Sequence, residues 1–147
     1  MADTELSADE RRELGEIAGT MIPADPALGM PGADDPLILA DIVTSIGRDL
    51  PLVRDALVAL AAQGFAGLDR ARREALINEW YAGRSKPAAA LGRAILGAYY
   101  RDDRVLKALG HEARAPFPKG YEVEQGDWSL LEIVKQRPAF WRQDKVR

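Results

Sequence analysis

The stretch Tyr99-Tyr100-Arg101-Asp102-Asp103-Arg104-Val105-Leu106-Lys107-Ala108-Leu109-Gly110-His111, followed after three residues by Ala115-Pro116-Phe117-Pro118-Lys119-Gly120-Tyr121, divides this chain. Two aromatics close one helical pattern. A short amphipathic turn follows and stops at a glycine. Pro116 and Pro118 lack N–H donors and push their preceding residues toward extended geometry, so no continuous helix crosses this stretch. Everything before it reads as helix. Everything after it carries large aromatics on a segment with few aliphatic neighbours.

Working back from Tyr99, Leu91, Ile95, Ala98 and Tyr99 fall on one stripe of a helix that Ser85 and Pro87 start. Gly92 and Gly97 each cost that helix about 1 kcal/mol against alanine, which close packing is expected to offset. Asp69 is expected to cap the preceding helix, with Leu76, Ile77, Trp80 and Tyr81 at its apolar end and Gly83 as its stop. Gly64-Phe65-Ala66-Gly67 reads as a helix-to-helix turn. Before it, Val53, Leu57 and Leu60 point inward from a helix with Asp49 as its cap and Gly64 as its stop. Asp35 and Pro36 start a helix with Leu39, Ile42, Val43 and Ile46 on one face, stopping near Gly47. Ser7-Ala8-Asp9-Glu10 is a capping box, and the helix it opens ends near Ile22, before Pro23.

Forward from Tyr99, Asp102 or Asp103 caps a short helix ending at Gly110. Ser129-Leu130-Leu131-Glu132 reads as a second capping box, opening a helix that Pro138 terminates. Tyr121 to Glu124 is the one stretch with a strand-like alternation. The expectation is an all-α protein: a compact bundle of five to seven helices over residues 1–110, with a long irregular arm over residues 111–147 of the same domain.

The chain's 147 residues suit one domain. Its net charge of −3 is unevenly spread: residues 1–50 hold eleven acids against three bases. Such a chain is not expected to bind nucleic acid, which calls for a basic face. The absence of cysteine excludes disulfides and thiolate catalysis in it. No window approaches the roughly 20 apolar residues of a membrane span. Arg11-Arg12 lies among acids with no apolar run behind it, and a cytoplasmic location is expected.

Catalytic equipment is sparse. No phosphate-binding loop, dinucleotide fingerprint or nucleophile elbow is present. Asp25, Asp34 and Asp35 lack the spacing of a calcium loop and read as turn and cap residues. His111 is the single histidine, without companions for a metal site. An independent binding pocket would have to draw on Tyr99, Asp102 and His111. Aromatics and arginine dominate interface energetics, so the candidate partner-facing residues are Tyr99, Tyr100, Phe117, Pro118, Tyr121, Trp128, Arg137, Phe140 and Trp141.

Two blocks resemble a known family. Met21-Ile22-Pro23-Ala24-Asp25 with the turn Pro31-Gly32 is similar to the first block of the gluconate 2-dehydrogenase subunit 3 family. Tyr99 to Gly110, with Pro116-Phe117-Pro118-Lys119-Gly120-Tyr121, is similar to its second. The resemblance spans about residues 10–125. It implies a non-catalytic small subunit that stabilises a large FAD-dependent oxidoreductase of the glucose–methanol–choline type. The flavin and active site would lie on that partner, with no cofactor in this chain, and a hetero-oligomer is expected.

Overall fold

One helix organises the core: α5, Lys86–Tyr99. Ser85 opens it by accepting the Ala88 N–H, and Pro87 sits in the first turn, where no N–H is needed. Ala88, Ala90, Leu91, Gly92, Ile95, Ala98 and Tyr99 are all buried along it. The computed structural model describes residues 5–113 and 124–138, and these fall in two compact units, residues 1–114 and 115–147. The fold is all-α, and among the described residues the only strand-like pairing is an isolated bridge between Asp25 and Met30.

Five further helices belong to the first unit: α1 Ala8–Met21, α2 Pro36–Ser45, α3 Leu50–Ala62, α4 Arg70–Ala82 and α6 Asp103–Ala108. The α5 helix packs most extensively against α2 and α3, while α1 packs on α4, α3 and α2. The apolar core joins Leu14 and Ile17 of α1, Ile38 and Ile42 of α2, Val53, Leu57 and Leu60 of α3, and the buried stripe of α5. Burying a side chain of this size stabilises the fold by about 1.5–3 kcal/mol.

Most helix starts form as their sequences require. In the capping box, Ser7 Oγ accepts the Glu10 N–H at 3.2 Å and Glu10 accepts the Ser7 N–H at 2.7 Å. Asp35, Asp69 and Asp102 cap α2, α4 and α6. The turn Phe65–Gly67 is 3-10 helical. Arg73 fastens it by donating to the Leu68 and Ala66 carbonyls, with its guanidinium 4.9 Å from the Phe65 ring centroid and paired with Glu16.

Several expectations are corrected. Asp49 makes no capping bond; a 3-10 turn over Gly47–Asp49 leads straight into α3, and the Asp49 carboxylate pairs with Arg93 at 2.8 Å. The inward face of α2 is Ile38 and Ile42, continued by Ile46, whereas Leu39 and Val43 lie only half-buried beside them. Gly83 keeps helical geometry, and the left-handed position after α4 falls to Arg84, with φ of 49°. Of the two glycines in α5, only Gly92 is repaid by packing. A Cβ there would collide with the Tyr81 hydroxyl, whereas one at Gly97 meets open space.

The second unit is described only over residues 124–138. Asp127, not Ser129, provides its cap: its carboxylate accepts both the Ser129 N–H at 3.0 Å and the Ser129 hydroxyl at 2.6 Å. A 3-10 turn, Trp128–Leu130, then runs into the five-residue helix α7, Leu131–Lys135, which ends before Pro138. The strand-like reading of Tyr121 to Glu124 lies almost wholly outside the described residues.

Candidate interaction site

The segment from Tyr99 to Arg104, where α5 ends and α6 begins, meets the loop at residues 22–35. That loop folds on itself first. Asp25 Oδ1 accepts the N–H groups of Ala27 and Leu28, and the Asp25 and Met30 backbones exchange two bonds of 2.9 Å. The Tyr99 hydroxyl then donates to the Pro31 carbonyl at 3.0 Å. Burial, reinforced by nearby Tyr100, Asp102 and Asp25, pushes the Tyr99 phenol above its usual range, so it remains a donor.

Arg104 makes the second tie. Its guanidinium donates to both Asp35 oxygens, at 3.0 and 2.8 Å, and to both Asp102 oxygens, at 3.0 and 2.9 Å. Each aspartate is also a helix cap, for α2 and α6 respectively. The arginine thus joins the starts of two helices that are far apart in sequence. Its hydrogen bonds are the largest cause holding both carboxyls below the usual aspartate range. The same pairing raises the arginine's own affinity for its proton. Arg101 adds a parallel tie to Asp41 of α2 at 2.7 Å.

The sequence-predicted site residues fare differently. Tyr99 is 2% exposed, so it serves the core and offers almost nothing to a partner. Tyr100 is its outward neighbour, 52% exposed and edge-on to the Tyr99 ring at 5.3 Å. Trp128 is 65% exposed and Arg137 is exposed as well. Phe117, Pro118, Tyr121, Phe140 and Trp141 lie outside the described residues.

Two members of the alternative trio take part in the fold's own hydrogen bonds. The Tyr99 hydroxyl and Asp102 carboxylate are engaged as above, and His111 is exposed beyond α6, where its backbone N–H donates to the Leu106 carbonyl. Among the described residues, no three acidic or histidine side chains converge as metal ligands would. No described helix is long and apolar enough to cross a membrane.

Two features escaped the sequence reading. One is the Arg104 bridge, whose only sequence signal is an arginine two residues after a capping aspartate. The other is a run of exposed aliphatics beside Trp128: Leu130 and Ile133 at 64% and Val134 at 50%. Leu130, Ile133 and Val134 are spaced to share one side of a helical turn, where they form an exposed apolar surface. No protein-family model, curated protein or solved structure matches the chain.

Proposed function

We propose that this chain is a non-catalytic small subunit that binds and stabilises a large FAD-dependent oxidoreductase. The observation that carries the reading is the exposed apolar surface at 128–134, with Trp128, Leu130 and Ile133 each about two-thirds exposed. Leaving such side chains in water forgoes roughly 1.5–3 kcal/mol for each, which a partner surface would recover. The identity of the partner rests on the family resemblance. The two blocks that carry it are tied in space by the Tyr99–Pro31 and Arg104–Asp35 bonds, and such ties fit a structural role for those motifs. Tyr100, Trp128 and Arg137 are the described residues assigned to the partner surface, with Phe117, Pro118, Tyr121, Phe140 and Trp141 as further anchors. The substrate of the complex, whether sugar, alcohol, glycoside or steroid, is set by the partner.

The test is affinity purification of the tagged chain from its native cells. The expected product is a yellow two-chain complex whose flavin stays with the larger chain on separation, while the separated small chain is colourless and inactive. A chain that purifies without a flavoprotein, or that holds stoichiometric FAD itself, overturns the proposal. Trp128→Ala is expected to weaken the complex by about 30-fold or more, the effect of removing a central interface aromatic.

A further inference from the structure

Each of the helices α1 to α5 packs broadly on at least two others, and α6 packs broadly on none. Its single buried side chain is Val105. Six residues are too few to stay helical in water unaided. What α6 has instead is a finished end on each side. At its start the Asp102 carboxylate accepts the Arg104 N–H at 2.8 Å. At its far end Gly110 takes φ of 79°. There the His111 N–H returns to the Leu106 carbonyl at 2.9 Å, and the Gly110 N–H reaches the Lys107 carbonyl at 3.0 Å. This pair of bonds closes a helix through a left-handed glycine. Most backbone bonds of residues 102–111 are thus made within the segment itself.

Two attachments hold the segment to the body: the buried Val105 side chain and the Arg104 guanidinium. The guanidinium spans Asp102, inside the segment, and Asp35, at the start of α2. All three side chains are partly exposed, so dissolved salt reaches the clasp. Between α5 and α6 the chain turns through two bonds of 3.2 Å, from the Arg101 N–H to the Ala98 carbonyl and from the Asp102 N–H to the Tyr99 carbonyl. Arg101, with its own tie to Asp41, lies on the body side of that turn.

We infer that α6 is a latch: residues 103–111 detach from the body and unwind as one piece while α1 to α5 stay folded, and the Arg104–Asp35 clasp sets how often this happens. Local opening of this kind is drawn from the elements with the least buried contact. Unwinding residues 103–110 adds up to about 15 Å of chain ahead of the second unit, at roughly 3.4 Å per extended residue against about 1.5 Å in a helix. The latch thus sets the length of the tether that leads to residues 115–147. It stands or falls separately from the flavoprotein reading, because it concerns only residues of the helical body.

Native-state hydrogen exchange on the full-length chain tests it. The amides of Leu106, Leu109, Gly110 and His111 should share one opening equilibrium, far more open than that of Leu91 and Ile95 in α5. Arg104→Met should raise that equilibrium about 5- to 30-fold at all four amides and leave the order of protection within α5 unchanged. Arg104→Lys keeps the charge without the planar fork and should fall between the parent and Arg104→Met. Raising sodium chloride from 0.05 M to 1 M should open the parent segment about twofold to fivefold and Arg104→Met hardly at all. Asp41→Asn removes the pair on the body side of the turn and should leave the four amides unchanged. Graded exchange that is fastest at His111 and indifferent to Arg104→Met would reduce α6 to a fraying end and overturn the inference. Exchange of the four amides only together with α5, or an effect of Asp41→Asn as large as that of Arg104→Met, would overturn it as well.

Discussion

Helix α5 begins at a well-made cap and α7 continues a capped 3-10 turn, and they end in opposite circumstances. Ser85 caps α5 and Asp127 caps the turn leading into α7. Of the fourteen residues of α5, seven are buried; of the five in α7, none is. Local hydrogen bonding thus specifies where a helix begins but supplies little of its stability. An isolated helix shorter than about 12 residues is marginal in water, so packing decides which of the two persists. The α5 helix has its surroundings within the body. The apolar side chains of α7 remain exposed.

The widest separation between the two should appear on truncating their apolar residues. Leu91→Ala removes a fully buried side chain and should cost about 2–5 kcal/mol, lowering Tm by on the order of 10 °C. Ile133→Ala should change the stability of the isolated chain by less than about 0.5 kcal/mol. Thermal unfolding followed by circular dichroism measures both. Similar losses from the two variants would erase the distinction.

Within α5, the two glycines sharpen the same contrast. Gly92→Ala forces a methyl against the Tyr81 hydroxyl and should destabilise by about 1–2 kcal/mol net of the helix-propensity gain. Gly97→Ala meets open space and should stabilise by about 1 kcal/mol. The Tyr81 hydroxyl is buried without a hydrogen-bond partner among the described residues. Tyr81→Phe should therefore cost nothing, and it should shrink the penalty of Gly92→Ala when the two are combined. Additive effects in that double mutant would show that the collision is not the cause.

A smaller effect concerns the tie between the loop and α6. Arg104 is 41% exposed at its side chain, so solvent screening reduces what its pairs contribute. Arg104→Met should cost about 1–2 kcal/mol. It should also alter the acid limb. Asp35 and Asp102 have folded-state affinities for protons below those of the unfolded chain. Their stabilisation is present above the unfolded aspartate value of about 3.9 and is lost as pH falls from there through their depressed folded values. Tm plotted from pH 6 to pH 2 should therefore fall less steeply for Arg104→Met than for the parent. Parallel curves would count against the bridge as the source of acid sensitivity.

The smallest expected change is at Arg84. Its φ of 49° costs about 1 kcal/mol for a residue with a side chain. Arg84→Gly should recover a few tenths to 1 kcal/mol, and an unchanged or lowered Tm would argue that the arginine side chain compensates.

The all-α class and the chain positions of its helices were legible from the sequence because caps and stops are local. Ser7, Asp35, Asp69 and Ser85 announce helices through their own hydroxyls and carboxylates. Where two local signals compete, the sequence leaves the choice open. Asp49 could cap α3 or pair with Arg93, and only the nearness of α5 decides for the pair. Asp127 and Ser129 offer rival caps two residues apart, and the carboxylate accepts two bonds where the hydroxyl would accept one. The face assignment of α2 was right at Ile42 and Ile46 and missed only the buried Ile38, for a related reason. Leu39 and Ile42 are both aliphatic, so periodicity alone cannot say which side meets α5. For the candidate site, the aromatic pair at Tyr99 and Tyr100 was visible, but not that one ring is buried and the other exposed. That division depends on the angle at which α5 enters the core.

The placement of α5 also bears on how the chain is made. A ribosome delivers residues 1–85 before the helix on which α2 and α3 chiefly pack. Through that interval Ile38, Ile42, Val53 and Leu57 lack their main covering, and the Pro31 carbonyl waits for a hydroxyl at residue 99. The body can close only when its last long helix arrives. A nascent chain stalled before that point would present a greasy, unfinished surface to chaperones and proteases, whereas one whose Gly110 has already left the ribosome would hold every long helix of the body.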